Sequence, residues 1–379
     1  KLSQVTTRSL CIVRLSILNV AKQLQKYNIE NKVKELNKFY ESLMPLVKQH
    51  SGLSDRISSE GFDIFFTKPA NALKFCRAVT NYVDAINNNN TANNNVALSG
   101  QPLWNILFCI HGSTNVQMGI VGSPDRFQPV VVSKHLQELR QISKIAERFK
   151  VKLVMSSGAL NLLGKKPNNL QLIAAIDSTS LVYALDDSAQ IDKLAHVVCC
   201  MLEKNFVEAS KTVAQISSSA EVVQFYKQCC AQVLEQYRAE LSNISIEEIL
   251  REERLRRVFE EYINIEKSLH NILIWKLIQQ YRQKHAENDI AGKQQLVEAF
   301  IKVHMEWANV NQKIKDNIVA GQESVAPDLL NQLETEILAL MVDTFKRCKD
   351  WDKFKSELIL SRNITSPLYN ETILATASE

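Results

Sequence analysis

The spacing of apolar residues divides the chain into an alternating part and a helical part. Short β-branched runs, LCIVRLSILNV (10–20), GFDIFF (61–66) and KLVMSS (152–157), are typical of strands. Apolar residues at intervals of three and four predict helices from 21 to 49 and from about 134 to 149. Strands that alternate with helices predict an α/β layer for this part of the chain.

Three further segments complete the alternating part. NALKFCRAVTNYVDAI (71–86) has helical spacing, and HGSTNVQMGIVG (111–122) predicts two strands. The run at 87–95 is rich in Asn and low in complexity. For this run we expect a flexible loop at the surface.

The second half of the chain has helical spacing almost throughout. Residues 188–240 contain neither Gly nor Pro, and the sequence SSSAE separates their two apolar runs. This pattern predicts a helical hairpin that joins two domains. From 245 to 360, apolar residues recur at i, i+3 and i+4 between short polar breaks, which is typical of an all-α bundle.

Composition and charge narrow the class of protein. An apolar fraction of 45% and a charged fraction of 23% are those of a soluble globular protein. The net charge is +4, and residues 241–360 hold 17 basic against 20 acidic side chains, a net of −3. This balance argues against a nucleic-acid partner. No apolar run approaches the roughly 18 residues that a membrane span needs.

The eight cysteines show no metal-ligand spacing. Two pairs are adjacent, Cys199 with Cys200 and Cys229 with Cys230, and no CxxC or Cys/His pattern occurs. We therefore expect reduced core thiols in a cytosolic protein, with neither a metal site nor a cofactor.

The order of elements in the alternating part suggests a first resemblance. With SSEGFDIFF after a long helix and HGSTNVQMGIVGSPDR after a strand, residues 8–187 resemble the class III nucleotide cyclase homology domain. In that family two carboxylates hold two metal ions, which bind the triphosphate and activate the attacking 3′-hydroxyl. Leu15 stands at the first of these positions and Glu60 at the second.

Other positions of the cyclase pattern are also altered. The family's paired Asn and Arg fall on Leu136 and Arg140, so only the Arg is retained. Pro129 replaces a purine-reading acid, and Arg56 stands where a purine-reading Lys would be. The resemblance therefore implies a cyclase-like fold without cyclase activity and without catalytic residues.

A second resemblance rests on FEEYINIEKSLHNILIW (259–275), in which polar residues interrupt an apolar helical stripe. This stretch matches without a gap the pattern F-x-x-F-L-x-x-E-x-S-x-E-N-L-x-F-W of the regulator-of-G-protein-signalling (RGS) family. LVEAFIKVH (296–304), VNQKI (310–314) and LMVDTFKRC (340–348) resemble later segments of the family in the same order. The resemblance covers about 245–360.

The polar residues then have a physical explanation. Ser268 is placed as the N-cap of a new helix, with Leu269, Ile272 and Trp275 facing the bundle. Asn271 falls in the first turn, where its amide can face a partner or can serve only as a structural cap. In the family, this corner and two later segments hold the switch regions of a Gα subunit. The resemblance implies the following binding residues: Glu266, Ser268, Asn271, Asn311, Leu340, Asp343, Thr344 and Arg347.

This chain departs from the RGS pattern in three places. His270 replaces the acidic residue before the Asn, the loop after Asn311 is shorter, and the helix that contains Asp343 has lost one residue. Asp343 and Arg347 remain one turn apart, and we expect them to pair. Which Gα the domain prefers stays open.

The RGS resemblance implies a regulator and not an enzyme, because such a domain adds no catalytic side chain to the nucleotide. Gα supplies its own Arg and a water-orienting Gln. The RGS surface accelerates GTP hydrolysis by binding best to the transition-state geometry of the switches. We expect a cytoplasmic protein that Gα recruits to the inner face of the plasma membrane.

Together the resemblances imply a multidomain α+β protein. Its segments are an N-terminal α/β cyclase-like sandwich (1–187), a helical-hairpin linker (188–240), an all-α RGS-type helical bundle (241–362) and a C-terminal tail (363–379). One alternative function is a scaffold or regulatory subunit, whose cyclase-like domain pairs with an active nucleotide cyclase while the helical domain only binds Gα. Another is nucleotide sensing by the altered pocket, which Pro129 and Leu136 argue against. Besides Gα, the expected partner is a second copy of this chain or a cyclase-like chain.

Overall fold

A computed structural model describes residues 5–25, 27–92, 104–123, 126–131, 134–185, 191, 193–321 and 327–374. The chain forms two compact units, one of Lys1–Cys230 with Ser366–Glu379 and one of Ala231–Thr365. This division differs from the predicted domain bounds. Most of the predicted linker at 188–240 and of the tail at 363–379 belongs to the first unit, and the boundary at residue 230 lies inside a helix.

An eight-stranded sheet forms the centre of the first unit. Its strands are β1 (Thr6–Ile17), β2 (Leu53–Ser58), β3 (Gly61–Phe66), β4 (Ile106–Ser123), β5 (Arg126–Val131), β6 (Leu153–Ser156), β7 (Leu170–Ala175) and β8 (Leu181–Leu185). The order is β2-β3-β1-β4-β6-β8-β7, with β5 paired to β4. The β4–β6 pair is parallel and the other pairs are antiparallel. The predicted α/β class is confirmed.

Helices cover this sheet. They are α1 (Val20–Gln23), α2 (Ile29–Gln49), α3 (Pro69–Ala92), α4 (His135–Phe149), α5 (Ser157–Leu163), α6 (Leu194–Leu202), α7 (Phe206–Ala214), α8 (Glu221–Asn243) and α16 (Pro367–Tyr369), which a π-helical turn follows at Asn370–Leu374. α2 and α3 share a core with alternate residues of β1, among them Val13 and Leu15. Because successive strand residues point to opposite faces, Arg14 lies on the other side of the sheet.

Several predicted elements differ from the structure. The predicted helix at 21–49 is broken into α1 and α2, and the two strands expected around 111–122 form the single strand β4. The run at 87–92 is the end of α3 and not a loop. Asn87 there accepts a hydrogen bond from the Trp104 backbone amide and donates one to its carbonyl, which anchors this end of the helix. Residues 93–95 lie outside the described residues.

The predicted helical hairpin is three helices. Its first half splits into α6 and α7 at Lys204, which adopts a left-handed φ of 59°. The Asn205 side chain then accepts a hydrogen bond from the Glu208 amide at 3.3 Å and caps α7. The predicted helix near 134–149 and the strand at 61–66 are confirmed as α4 and β3.

All eight cysteines have free thiols, and seven of them are buried. Burial raises the pKa of the Cys11 thiol to about 12 and has the same effect on Cys230. These groups stay protonated and unreactive near neutral pH, as expected of core thiols.

In the described part of the second unit, seven further helices follow the C-terminal part of α8. They are α9 (Ile246–Arg251), α10 (Glu253–Ile265), α11 (Leu269–Ala286), α12 (Ile290–Ala299), α13 (Gln312–Ala320), α14 (Pro327–Cys348) and α15 (Asp352–Ser361), with a π-helical turn at Phe300–His304 after α12. The predicted all-α bundle is confirmed. Phe345 lies between Phe259 and Phe354, with ring centroids 5.9 Å apart in both edge-to-face contacts. Among the described residues, no helix combines the length and apolarity that crossing a membrane requires.

Candidate partner-binding site

The turn between α10 and α11 forms one corner of the second unit. α10 ends at Ile265 with Glu266 as its C-cap. Lys267 adopts a left-handed φ of 58°, and the amide of Ser268 donates to the carbonyl of Ile263 at 3.1 Å. This backbone arrangement is a common way to end a helix. It fixes the direction in which α11 starts.

Ser268 occupies the predicted N-cap position of α11, but its side chain makes no capping hydrogen bond. Its hydroxyl faces the carbonyl oxygen of Ile263 at 3.5 Å, the limit of hydrogen-bond distance. The predicted helix start is therefore confirmed, although the Ser268 side chain does not cap it. The hydroxyl is oriented back toward the end of α10 and away from the first amides of α11.

Asn271 lies in the first turn of α11 and is half-buried. The adjacent His270 ring stacks on Trp307, with centroids 5.5 Å apart and an interplanar angle of 10°. Trp307 is 63% exposed. Sequence reasoning missed this tryptophan, because its partner lies 37 positions earlier in the chain. The one feature of the sequence that could have pointed to Trp307 is its position as a large aromatic residue shortly before Asn311.

Asn311 is exposed at the start of α13. Its side-chain oxygen accepts a hydrogen bond from the Lys313 amide at 2.9 Å, and its own backbone amide donates to the Glu336 carboxylate at 2.6 Å. Neither of these bonds uses the Nδ2 group of Asn311. Beside it is a surface hollow of about 470 Å³, whose wall includes Asn317, Thr335 and Glu336.

The predicted residues of α14 differ in exposure. The Asp343 side chain is 73% exposed and pairs with Lys346 at 2.9 Å. Leu340 is half-buried, whereas Thr344 is only 5% exposed. The Thr344 hydroxyl accepts a hydrogen bond from Arg347 Nη2 at 3.3 Å. Thr344 is thus placed to position Arg347 and has little surface of its own.

Glu266 and Arg347 form a bidentate ion pair. Arg347 Nε and Nη2 donate to the two carboxylate oxygens of Glu266, at 2.7 Å each. Hydrogen bonds from Arg347 and from Tyr262 hold the pKa of Glu266 below its ordinary value. The expected Asp343–Arg347 pair is not the one that forms, because Glu266 offers both oxygens to the planar guanidinium. Of the eight predicted residues, the structure shows direct contacts joining Glu266, Thr344 and Arg347.

A separate group of residues in the first unit includes the positions that the sequence resemblance assigned to a cyclase site. Leu15 is fully buried in the core that β1 shares with α2 and α3. Its neighbour Arg14 makes two hydrogen bonds of 2.9 and 2.8 Å to Asp63. Glu60 and Arg140 line the same hollow, of about 380 Å³. The Asp63 carboxylate is therefore already paired with the Arg14 guanidinium.

Comparison with protein families identifies the second unit. Residues 245–356 match the model of the regulator of G protein signaling domain. This segment is an RGS domain, as the sequence predicted. In a comparison with curated protein sequences, none matched this chain.

Solved nucleotide cyclases are similar to the first part of the chain. A bacterial light-regulated adenylyl cyclase has a TM-score of 0.42 and 11% identity, over 53% of this chain and 58% of that one. The adenylyl cyclase CyaB from P. aeruginosa has a TM-score of 0.41 and 12% identity, over 49% of this chain and 97% of that one. The guanylyl cyclase Cya2 has a TM-score of 0.35 and 18% identity, over 48% of this chain and 96% of that one. The chain thus spans 58% of the length of the light-regulated enzyme.

Proposed function

We propose that this protein binds activated Gα subunits and accelerates their GTP hydrolysis, which ends heterotrimeric G-protein signalling. The RGS domain at 245–356 makes the chain a regulator of G-protein signalling in general, and it is the observation on which the finer proposal rests. The chain supplies no catalytic group and no cofactor to the reaction. It acts by binding most tightly when the Gα switches hold their transition-state geometry.

The proposed contact surface combines the α10–α11 corner, the start of α13 and the end of α14. Asn271 and Asn311 present amide groups there, and Asp343 presents a carboxylate. Glu266 holds Arg347 in one orientation, so the guanidinium is ordered before a partner arrives. Ser268 and Leu340 complete the surface that the RGS resemblance assigns.

Single-turnover GTP hydrolysis by purified Gα subunits tests the proposal. The full chain should raise the hydrolysis rate of at least one Gα, and Asp343→Ala should lower this effect. Glu298→Gln is the matched control, because this carboxylate is 63% exposed on α12 outside the proposed surface. If none of the Gα classes is accelerated while the chain is folded, the proposal is overturned.

The cyclase-like unit is proposed to be inactive and to serve in regulation or assembly. This rests on Leu15, whose apolar side chain is fully buried at the position of a metal-binding carboxylate, and on the Arg14–Asp63 pair beside it. Two metal ions cannot be held in the way that cyclase chemistry needs without both carboxylates.

An alternative function is a scaffold, in which this unit pairs with an active cyclase chain and the RGS domain only binds Gα. Arg140 supports this reading, because it is exposed and borders the hollow near Glu60. Size-exclusion chromatography with a cyclase-like partner, followed by cyclic-nucleotide measurement, separates the two functions.

We further propose that the protein works in the cytoplasm and reaches the inner face of the plasma membrane through Gα.

A further inference from the structure

Two histidines and a glutamate of the first unit bring three possible ligand atoms together. His111 Nε2 lies 3.1 Å from His135 Nδ1 and 3.3 Å from Glu138 Oε2. The third distance, from His135 Nδ1 to Glu138 Oε2, is 3.9 Å. Both histidines are buried, at 5% and 8% exposure. Over the described residues, no other group of three or more His, Cys, Asp or Glu converges in this way.

These distances match the ligand spacing of a transition-metal ion. Ligands about 2.0 Å from a zinc ion lie about 3.3 Å apart when they occupy the corners of a tetrahedron. The three observed separations bracket this value. Two imidazole nitrogens and one carboxylate are also a donor set that zinc and similar divalent ions use, with the remaining positions open to water or substrate.

The backbone explains why the cluster can form. His111 lies in the middle of β4, opposite Ile12 of β1. His135 and Glu138 are three residues apart in the first turn of α4, so they share one face of the helix. Beside His111, the backbones of Gly112 and Gly158 pass so closely that a Cβ on Gly158 would lie 2.1 Å from the Gly112 carbonyl oxygen.

An adjoining cavity leaves room for the further ligands. Its volume is about 180 Å³, and all three residues of the cluster line it. Its wall also contains the hydroxyl groups of Ser113 on β4, Ser156 on β6 and Thr179 in the loop between β7 and β8. A water molecule or a small anionic ligand bound to the ion would find hydrogen-bond partners there.

Hydrogen bonding alone accounts poorly for the arrangement. His111 Nε2 can carry only one proton, yet it faces both His135 Nδ1 and Glu138 Oε2 at short distance. A cation at the centre would satisfy all three atoms at once. The other ring nitrogen of His111 is buried and finds no hydrogen-bond partner in the described part of the chain. Permanently bound zinc usually has a partner at this position, so the cluster is suited to an exchangeable ion.

We propose that His111, His135 and Glu138 form a binding site for an exchangeable divalent transition-metal ion of the zinc class. The ion takes one nitrogen from each histidine and one oxygen from the glutamate, and its open position faces the cavity. Binding displaces any proton that these ligand atoms carry. The spacing rules applied to the sequence missed this site, because His111 and His135 are 24 residues apart and only folding brings β4 to α4. The proposal does not depend on Gα binding.

Calorimetric titration of the chelator-treated full chain with Zn²⁺, with the thiols kept reduced, tests the site. The parent chain should bind one ion. His135→Ala should lose this binding, and Glu138→Gln should weaken it by at least about 10-fold. Addition of Co²⁺ should give the absorption bands of a nitrogen and oxygen ligand field in the parent chain only.

His196→Ala is the matched control, because His196 lies near Cys200 and Glu208 at 3.5 and 3.7 Å and is the natural place for adventitious binding. This variant should bind Zn²⁺ like the parent. Circular dichroism without metal checks each fold. If His135→Ala fails to fold, Glu138→Gln decides, since Gln keeps the size of the side chain. Equal affinities of the parent and Glu138→Gln, or loss of binding in His196→Ala, would overturn the proposal.

Discussion

Arg347 reaches across 81 positions of sequence to hold both carboxylate oxygens of Glu266, at 2.7 Å each. This pair links the end of α14 to the end of α10, next to the turn that starts α11. Thr344 and Tyr262 add hydrogen bonds to the two members of the pair. The pair therefore connects two of the three segments that form the proposed Gα surface.

The first prediction concerns the charge of Glu266. Its pKa lies below the ordinary value of about 4.3, because Arg347 stabilises the ionised form. The stabilising contribution of the pair is therefore present above pH of about 4.3 and is lost as the pH falls through the lower folded pKa. Arg347→Gln should raise the pKa of Glu266 in a carbon-detected NMR titration. Arg282→Gln, which removes a partner of Glu334 instead, should leave it unchanged. Equal titrations of Glu266 in the parent and in Arg347→Gln would contradict the prediction.

The second prediction concerns Asn271. Asn271→Ala should weaken binding to Gα in its GDP and aluminium fluoride form, in which the metal fluoride stands in for the transferring phosphoryl group. Each hydrogen bond buried only in the complex is worth on the order of 1 to 3 kcal/mol when its partner is left unsatisfied. Thermal melting of the free chain should not change. A variant that binds like the parent but melts early would show that Asn271 is a structural cap.

The third prediction concerns Trp275, which is 9% exposed on the inner face of α11. Trp275→Ala should create a cavity and lower the free energy of unfolding by roughly 3 to 5 kcal/mol. Denaturant titration measures this loss. Activity toward Gα should fall only in proportion to the unfolded fraction. A stable variant with impaired Gα binding would place Trp275 at the interface instead.

The fourth prediction concerns Trp307, whose exposed ring stacks on His270. Trp307 stacks on the corner residue His270, and exposed aromatic residues often contribute strongly to interfaces, so Trp307→Ala should weaken Gα binding by roughly 2 kcal/mol. Its stability should change little. Ile290→Ala is the control, since Ile290 is a similarly exposed apolar residue at the start of α12. Equal losses of binding in both variants would indicate a general effect of surface apolarity.

The fifth prediction concerns cyclase activity. The purified chain should make no cyclic nucleotide from ATP or GTP with Mg²⁺ or Mn²⁺, because Leu15 cannot bind a metal ion and Leu136 cannot orient the ribose. Product formation is measured by chromatography, with an active cyclase as the positive control. Turnover that Glu60→Ala abolishes would show a working site and contradict the proposal of an inactive fold.

The sequence by itself determined what depends on neighbours along the chain. The gapless match at 259–275 identified the RGS segment, which the family model confirms at 245–356. Periods of two and of three to four located β3, α4 and the helices of the second unit, because the pitch of a strand or helix is a local property. The assignment of Leu15 and Glu60 to cyclase positions rests on the sequence resemblance alone and stays a prediction.

Tertiary structure decided what depends on residues far apart in sequence. The polar run at 87–92 continues helix α3, and within it Asn87 binds the backbone of Trp104, 17 positions away. Arg347 pairs with Glu266 and not with Asp343, its neighbour one turn away, because both carboxylate oxygens of Glu266 accept hydrogen bonds from the guanidinium. The cluster of His111, His135 and Glu138 likewise exists only where α4 packs on β4. Local periodicity determines which element forms, whereas the partners of a polar side chain depend on packing that no short window contains.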